Sequence, residues 1–296
     1  MIDSHVHSDF SPDSTRSMRE VCKLAMENNV DRLCFTNHFT VQSADFDWYG
    51  TFNSKRFDAE TDSGVLTGPL VMQPGKEEWR KHYEDFQAVK EEFPDLQLAF
   101  GIEADYSPLL LVEIKGVLDS LPFDFILGST HYLRNYCISV RDGCEKYLQE
   151  YSLEDYFAHY FETERSAAAS GWFDSLAHLD YCLSWLAACK RAVAFSEYGE
   201  FAFKAIDEMA RAKTAIEINS GGWRKAIGRA YPALELLEYA AQVGVPGVTL
   251  GSDAHKPGEY FFKLREAVEL AITAGFENAL FFMNREPEEI PLSTLI

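Results

Sequence analysis

His5-Val-His7 sets two imidazoles two residues apart, and in an extended segment that spacing turns both to one side of the chain. A similar interval recurs far along the chain as Asp253-Ala-His255. Between them, His38, Glu103, His131 and His178 each close a short apolar run, as does Asn219. Six of the eight histidines thus stand where strands would end, while His82 and His159 fall in charged helical stretches. Converging imidazoles and carboxylates need a cation to offset desolvation and mutual repulsion. Nitrogen and oxygen donors together suit zinc, iron or manganese rather than calcium. His5, His7, His38, Glu103, His131, His178, Asp253 and His255 exceed what one tetrahedral ion takes, so two or three ions are predicted, with Glu103 able to bridge neighbours. Asp13, in the loop after the first run, is either a further ligand or a loop carboxylate.

A second layer points to phosphate. Ser220-Gly221-Gly222-Trp223-Arg224-Lys225 follows the run that ends at Asn219. Two glycines allow close backbone approach, and the Arg224 guanidinium offers a bidentate fork for phosphate oxygens. Lys225, Arg134 and Arg229 are further candidates, whereas Lys190 and Arg191 read as a solvated helix end and Ser129-Thr130 as turn residues.

These side chains must be positioned by a regular framework. Strand-like runs appear at 1–7, 32–38, 96–103, 123–131, 174–178, 215–219, 247–253 and 279–283. Helical periodicity and charged surface lie between them, at 17–28, 77–93, 109–121, 153–169, 197–211, 233–242 and 260–274. Ser17 with Glu20 forms a capping box, and Gly244 suits a left-handed C-terminal cap. The alternation predicts an α/β barrel or doubly wound sheet in one domain over residues 1–296. In a barrel all the strand ends meet on one rim, where active sites are built. The interval 39–75 is too long for an ordinary βα loop and is rich in aromatics, including Phe46, Trp48, Tyr49, Phe52 and Phe57. It is either a surface insertion with small helices of its own or a lid over the substrate.

Composition excludes several classes. With 296 residues and 47% hydrophobic content the chain can bury a core without staples. Twenty-seven basic against 47 acidic residues give a net charge of −20, which repels a phosphodiester polymer and disfavours nucleic-acid binding. No apolar run approaches the roughly 18 residues of a membrane span, and the N-terminus lacks a secretory pattern, so the cytoplasm is expected. Cys137 with Cys144 and Cys182 with Cys189 are each seven apart, which reads as same-face helical spacing of buried thiols.

His5-Val-His7, Asn37-His38, Gly101-Ile-Glu103, Gly128-Ser-Thr-His131, His178-Leu-Asp180 and Gly251-Ser-Asp253-Ala-His255 resemble, in order, the motifs of the polymerase and histidinol phosphatase (PHP) superfamily. Glu217-Ile-Asn219-Ser-Gly-Gly-Trp-Arg224-Lys225 further resembles the monofunctional histidinol-phosphate phosphatases within it. The resemblance implies a distorted seven-stranded (β/α)7 barrel of PHP type and a three-metal centre. It would assign His5, His7, Glu103 and Asp253 to one ion, and Glu103, His131 and His178 to a second. Asp13, His38 and His255 would hold a third. It implies hydrolysis of a small phosphorylated metabolite, L-histidinol phosphate first, with Glu103, Asp253, His255 and Arg224 in catalysis. Other phosphoesterases of the superfamily, acting on nucleotide bisphosphates or phosphodiesters, and non-catalytic accessory domains are the alternatives. One position departs from the pattern, because Asn37 stands where the second motif commonly carries Asp.

Overall fold

The computed structural model of the chain describes residues 1–44, 64–66 and 68–296. Seven parallel strands form its centre: β1 (Ile2–Val6), β2 (Arg32–Phe35), β5 (Gln97–Asp105), β6 (Phe125–Ser129), β9 (Ser175–Leu176), β10 (Ala215–Asn219) and β11 (Val248–Gly251), neighbours in that order. The barrel closes where the chain beyond β11 returns to β1, through a parallel bridge between Val6 and Ala254. Two backbone hydrogen bonds seal that seam: Asp253 donates to the His5 carbonyl at 2.8 Å, and His7 donates to Ala254 at 3.0 Å. β12 (Asn278–Met283) lies parallel to β11, and β13 (Glu286–Pro291) pairs antiparallel with it.

Alternation along each strand sorts the side chains. On β5, Leu98, Phe100, Ile102 and Ala104 belong to the large apolar cluster, while Ala99 sits in a second cluster with Cys34, Phe125, Leu127 and Ala215. The polar members Glu103 and Asp105 share the parity of Ala99, just as Glu217 and Asn219 share that of Ala215. On β5 and β10 an apolar residue early in the strand and a polar one at its C-terminal end thus share one face.

The helices of the described residues include the seven expected and two that the periodicity does not predict, Arg141–Glu150 and Leu183–Ala188. They are α1 (Met18–Glu27), α2 (Lys76–Glu92), α3 (Leu111–Leu118), α4 (Arg141–Glu150), α5 (Leu153–Ser170), α6 (Leu183–Ala188), α7 (Phe195–Ala212), α8 (Leu234–Val243) and α9 (Leu264–Thr273). Ser17 and Glu20 form the expected capping box on α1, and Gly244 ends α8 in the left-handed region. The expected strand 32–38 is broken: β2 stops at Phe35 and β3 (His38–Ser43) begins after a gap of two residues, both lying along β5. The break frees the Asn37 side chain to turn away from the sheet. Beyond the rim β3 pairs antiparallel with β4 (Leu70–Gln73), so the ends of the 39–75 interval form a ribbon. Its aromatics Phe46, Trp48, Tyr49, Phe52 and Phe57, and the small helices expected there, lie outside the described residues. A second ribbon joins β7 (Tyr132–Leu133) to β8 (Tyr136–Cys137).

The cysteine reading needs correction. Cys137 is on β8 rather than a helix, and Cys189, after α6, is exposed. Spacing by seven places residues on one face only within a continuous helix, and neither pair lies inside one.

Inside α5, Glu164 occupies a stripe with Tyr156, Tyr160 and Ala168, fully buried. Neither carboxyl oxygen has a hydrogen-bond partner, and burial pushes the acid up to about 8, with Thr130 and Tyr160 as polar neighbours. Between its ordinary value of 4.5 and about 8 the folded chain keeps this proton while the unfolded chain has lost it. Stability therefore falls as pH rises through that window, by about 1.4 kcal/mol per unit. Glu164→Gln is expected to flatten the dependence, gaining several degrees in Tm over the parent protein at pH 8 and little at pH 4.5. Parallel thermal-unfolding curves across pH 4.5 to 8 would contradict this.

Candidate metal centre

The strand ends bring the predicted donors into one cluster. His5 Nε2 lies 3.0 Å from His7 Nε2. Each of these nitrogens is 3.5 Å from Glu103 Oε2 and 3.5 Å from Asp253 Oδ1. The other oxygen of Glu103 faces a second group, 3.1 Å from His178 Nε2 and 3.5 Å from His131 Nε2. A third group lies beside them: His38 Nε2 and His255 Nε2 are 3.2 Å apart, and Asp13 Oδ2 is 3.5 Å from the first and 3.3 Å from the second. First-row ions hold nitrogen and oxygen at about 2.0–2.2 Å, which spaces tetrahedral donors roughly 3.3 Å apart. The observed separations match that spacing in all three groups.

Ring orientation supports the same conclusion. His5 Nδ1 meets Glu217 Oε1 at 2.6 Å, His38 Nδ1 meets Glu103 Oε2 at 2.7 Å, and His131 Nδ1 meets Asp105 Oδ1 at 3.0 Å. His255 Nδ1 faces the Asp253 carbonyl at 3.1 Å, and His7 Nδ1 faces Ser11 Oγ at 3.1 Å. Each partner can accept the Nδ1 proton, which leaves the Nε2 lone pair turned into the cluster. His178 differs: its buried Nδ1 has no partner, and its backbone sits at φ +29°. Its amide N–H donates to Glu217 Oε2 at 2.8 Å, so Glu217 fixes two members of the cluster at once.

Electrostatics set the carboxylates for cations. Burial opposes the charge on Glu103, but the imidazoles of His38, His5 and His131 hold its pKa well below the usual range. Asp253 is likewise depressed against burial by His5, His7 and His255. Burial disfavours a charged His5, yet Glu217, Asp253 and Glu103 raise its pKa well above normal, and Glu103 and Asp13 do the same for His38. His7 goes the other way, driven down by burial and then by His255 and His38. Glu103 Oε2 is buried among the ring nitrogens of His5, His7 and His38. An ionised oxygen held among imidazole nitrogens fits a cation. Side-chain exposure rises from 1% at His5, Glu103 and His178 to 28% at Asp13, so the third group opens the cluster to solvent.

The basic candidates separate. Arg224, in the 3-10 turn Ser220–Arg224, donates from Nη2 to the Asp253 carbonyl at 2.9 Å and stacks on Phe262. Lys225, next to it, is exposed. Arg229 is engaged by the buried Asp180 carboxylate, with Nη2–Oδ2 at 2.6 Å, and by the Ala230 carbonyl. Arg134 is exposed on the β7–β8 turn and its guanidinium lies over the Tyr151 ring. The fork of Arg229 thus serves a carboxylate of this chain.

Sequence reasoning did not assign roles to Glu217, Asp105 and Ser11. The two carboxylates had a signal: each stands two residues from a rim position, Glu103 or Asn219, and so on the same strand face. His82 lies in a charged helix, as expected, but not on its solvated face. Although its neighbours are charged, it lies on the buried face of α2 with Trp79, Phe86 and Val89.

No helix of the described chain is long and apolar enough to cross a membrane. The PHP domain family model matches residues 3–221. The chain is 32% identical over 270 residues to a probable histidinol-phosphatase of Deinococcus radiodurans, covering 91% of this chain and 92% of the relative. It is 26% identical to the histidinol-phosphatase of Lactococcus lactis subsp. lactis, over 95% and 94% of the two chains. The crystal structure of the histidinol phosphate phosphatase from that organism, complexed with zinc, L-histidinol and phosphate, superposes with a TM-score of 0.76 at 23% identity, covering 97% of this chain and 98% of the other.

Proposed function

The chain belongs to the PHP domain family, and on that premise we propose that it is a metal-dependent phosphatase hydrolysing L-histidinol phosphate to L-histidinol and phosphate. The observation that carries this reading is the set of Nε2 and carboxylate atoms facing one another at 3.0–3.5 Å. His5, His7, Glu103 and Asp253 would hold one ion, and Glu103, His131 and His178 a second. Asp13, His38 and His255 would hold a third. The donor set suits zinc, and equally iron or manganese. Such ions supply Lewis acidity toward phosphoryl oxygens and lower the pKa of water to about 7.

The chain's own groups do the rest. Glu103 presents one oxygen to each of two donor groups and so fixes their separation. Glu217, Asp105 and Ser11 hold the imidazoles in the ligating orientation. Arg224, anchored on the Asp253 carbonyl, keeps further N–H donors for a phosphoryl oxygen at the open side and offsets charge there as the ester breaks. Tyr181 packs against His178 and His131, ring centroids 4.7 and 5.7 Å apart, and so backs the second donor group. The free thiols support a cytoplasmic location.

A panel of phosphate esters tests the substrate. The expected result is a preference for histidinol phosphate over a nucleotide bisphosphate and a phosphodiester of at least about 100-fold in kcat/KM. Equal turnover of the nucleotide would remove the assignment, and no phosphate release from any ester by metal-loaded protein would favour an accessory role. Arg224→Ala is expected to raise KM for histidinol phosphate by about 10-fold or more, the loss of a charge-assisted hydrogen bond. Metal content should stay unchanged. A lowered metal count, or an unaltered KM, would contradict that role.

A further inference from the structure

His7 is the ligand whose Nδ1 partner is neither a carboxylate nor a backbone carbonyl. Ser11 Oγ, 3.1 Å away, can donate or accept, so by itself it does not choose the tautomer of His7. The surrounding groups do. The His38 backbone N–H, which can only donate, points at Ser11 Oγ from 3.0 Å. Asn37 Oδ1 lies 3.0 Å from the same hydroxyl. That atom is identified as oxygen by the Ser8 backbone N–H, an obligatory donor 2.8 Å from it. Ser11 therefore gives its one proton to Asn37 and must accept from His7. His82 holds the other end of the amide: its Nε2 faces Asn37 Nδ2 at 2.9 Å. Its ring is buried and stacked on Phe10 at 4.0 Å, an apolar setting that favours a neutral imidazole with a lone pair for the amide.

We propose that Asn37 and Ser11 are positioning residues that hold His7 in its Nδ1–H tautomer, with His82 anchoring the amide. This accounts for Asn37 in place of a carboxylate: the amide satisfies acceptor demand toward Ser8 and Ser11 and donor demand toward a neutral His82. Asp at 37 would keep the first and lose the second. The inference rests on the metal-dependent reading above, so affinity is measured first on the parent protein.

The test is competition of zinc against a chromophoric chelator in the full chain, with the His7 ring nitrogens followed by 15N NMR. Ser11→Ala and Asn37→Ala are each expected to weaken zinc binding at the tightest cluster site by about 10–100-fold, the range for lost outer-shell partners. Because Asn37 acts through Ser11, the double variant should be no weaker than Ser11→Ala alone. Asn37→Asp, which retains the acceptor, should recover most of the affinity lost in Asn37→Ala. In the Ser11→Ala protein the His7 Nδ1–H resonance should broaden or vanish. Parent-like affinity and spectrum in Ser11→Ala would overturn the proposal, as would losses that multiply in the double variant. Should Asn37→Ala fail to fold, Ser11→Ala with Asn37→Asp decides the matter alone. A parent protein that binds no zinc would instead refute the metal-dependent reading.

Discussion

Glu103→Gln should lose turnover of histidinol phosphate by about 200-fold or more, together with most of its bound metal. The expectation follows from what the side chain touches. One oxygen lies 3.5 Å from both His5 and His7 and 2.7 Å from His38 Nδ1, while the other faces His178 and His131. An amide keeps the size and removes the charge. It also turns an NH2 toward one of those groups, where it competes with a cation. Removing one partner from a buried charged network typically costs 3–5 kcal/mol, which converts to roughly 200- to 5,000-fold. Glu103→Asp keeps the charge but shortens the reach, so a partial loss is expected there. The readouts are elemental analysis and phosphate release on the same sample. A Glu103→Gln protein with full metal content and parent-like kcat would break the assignment.

Gly251→Ala is the second, and it acts through packing. A Cβ on Gly251 would stand 2.2 Å from Glu217 Oε1 and 2.6 Å from His5 Cβ, far inside contact distance. Glu217 is pinned there by His5 Nδ1, the His178 amide and Asn219 Nδ2, so it cannot withdraw without releasing two cluster members. Overpacking of this kind costs about 1–3 kcal/mol. The variant is therefore expected to unfold several degrees earlier and to bind metal at least about 10-fold more weakly, since the displaced groups orient ligands. The pairing of the two effects is the diagnostic. Ala at 251 with unchanged metal affinity would mean that the Glu217–His5 contact does not position the site.

Much of this was legible in the sequence because the barrel repeats one rule. Apolar residues on strands fix which face is inside, and that parity carries over to the polar residue at the strand end. Glu103 could be placed in this way, and the 215–219 strand matched to the residue. Where local sequence carries less information the reading slipped. The charged neighbours Lys81, Glu84 and Asp85 do not tell which face His82 takes; its helical phase, that of Phe86 and Val89, buries it. The break at Thr36–Asn37 has no glycine or proline to mark it, and the Asn37 side chain there meets Ser8, Ser11 and His82, partners 26 to 45 residues away. Arg229 could not be told from a phosphate ligand, because its Asp180 partner is 49 residues away and meets it only through the fold.

The most direct measurement is anomalous diffraction from crystals of protein purified without chelators, with data on both sides of the zinc, iron and manganese edges. Two or three peaks are expected inside the cluster, one of them between Glu103 and the pair His131 and His178, and one beside His5, His7 and Asp253. A well-ordered cluster with no anomalous peak, after incubation with each of the three metals, would contradict the account.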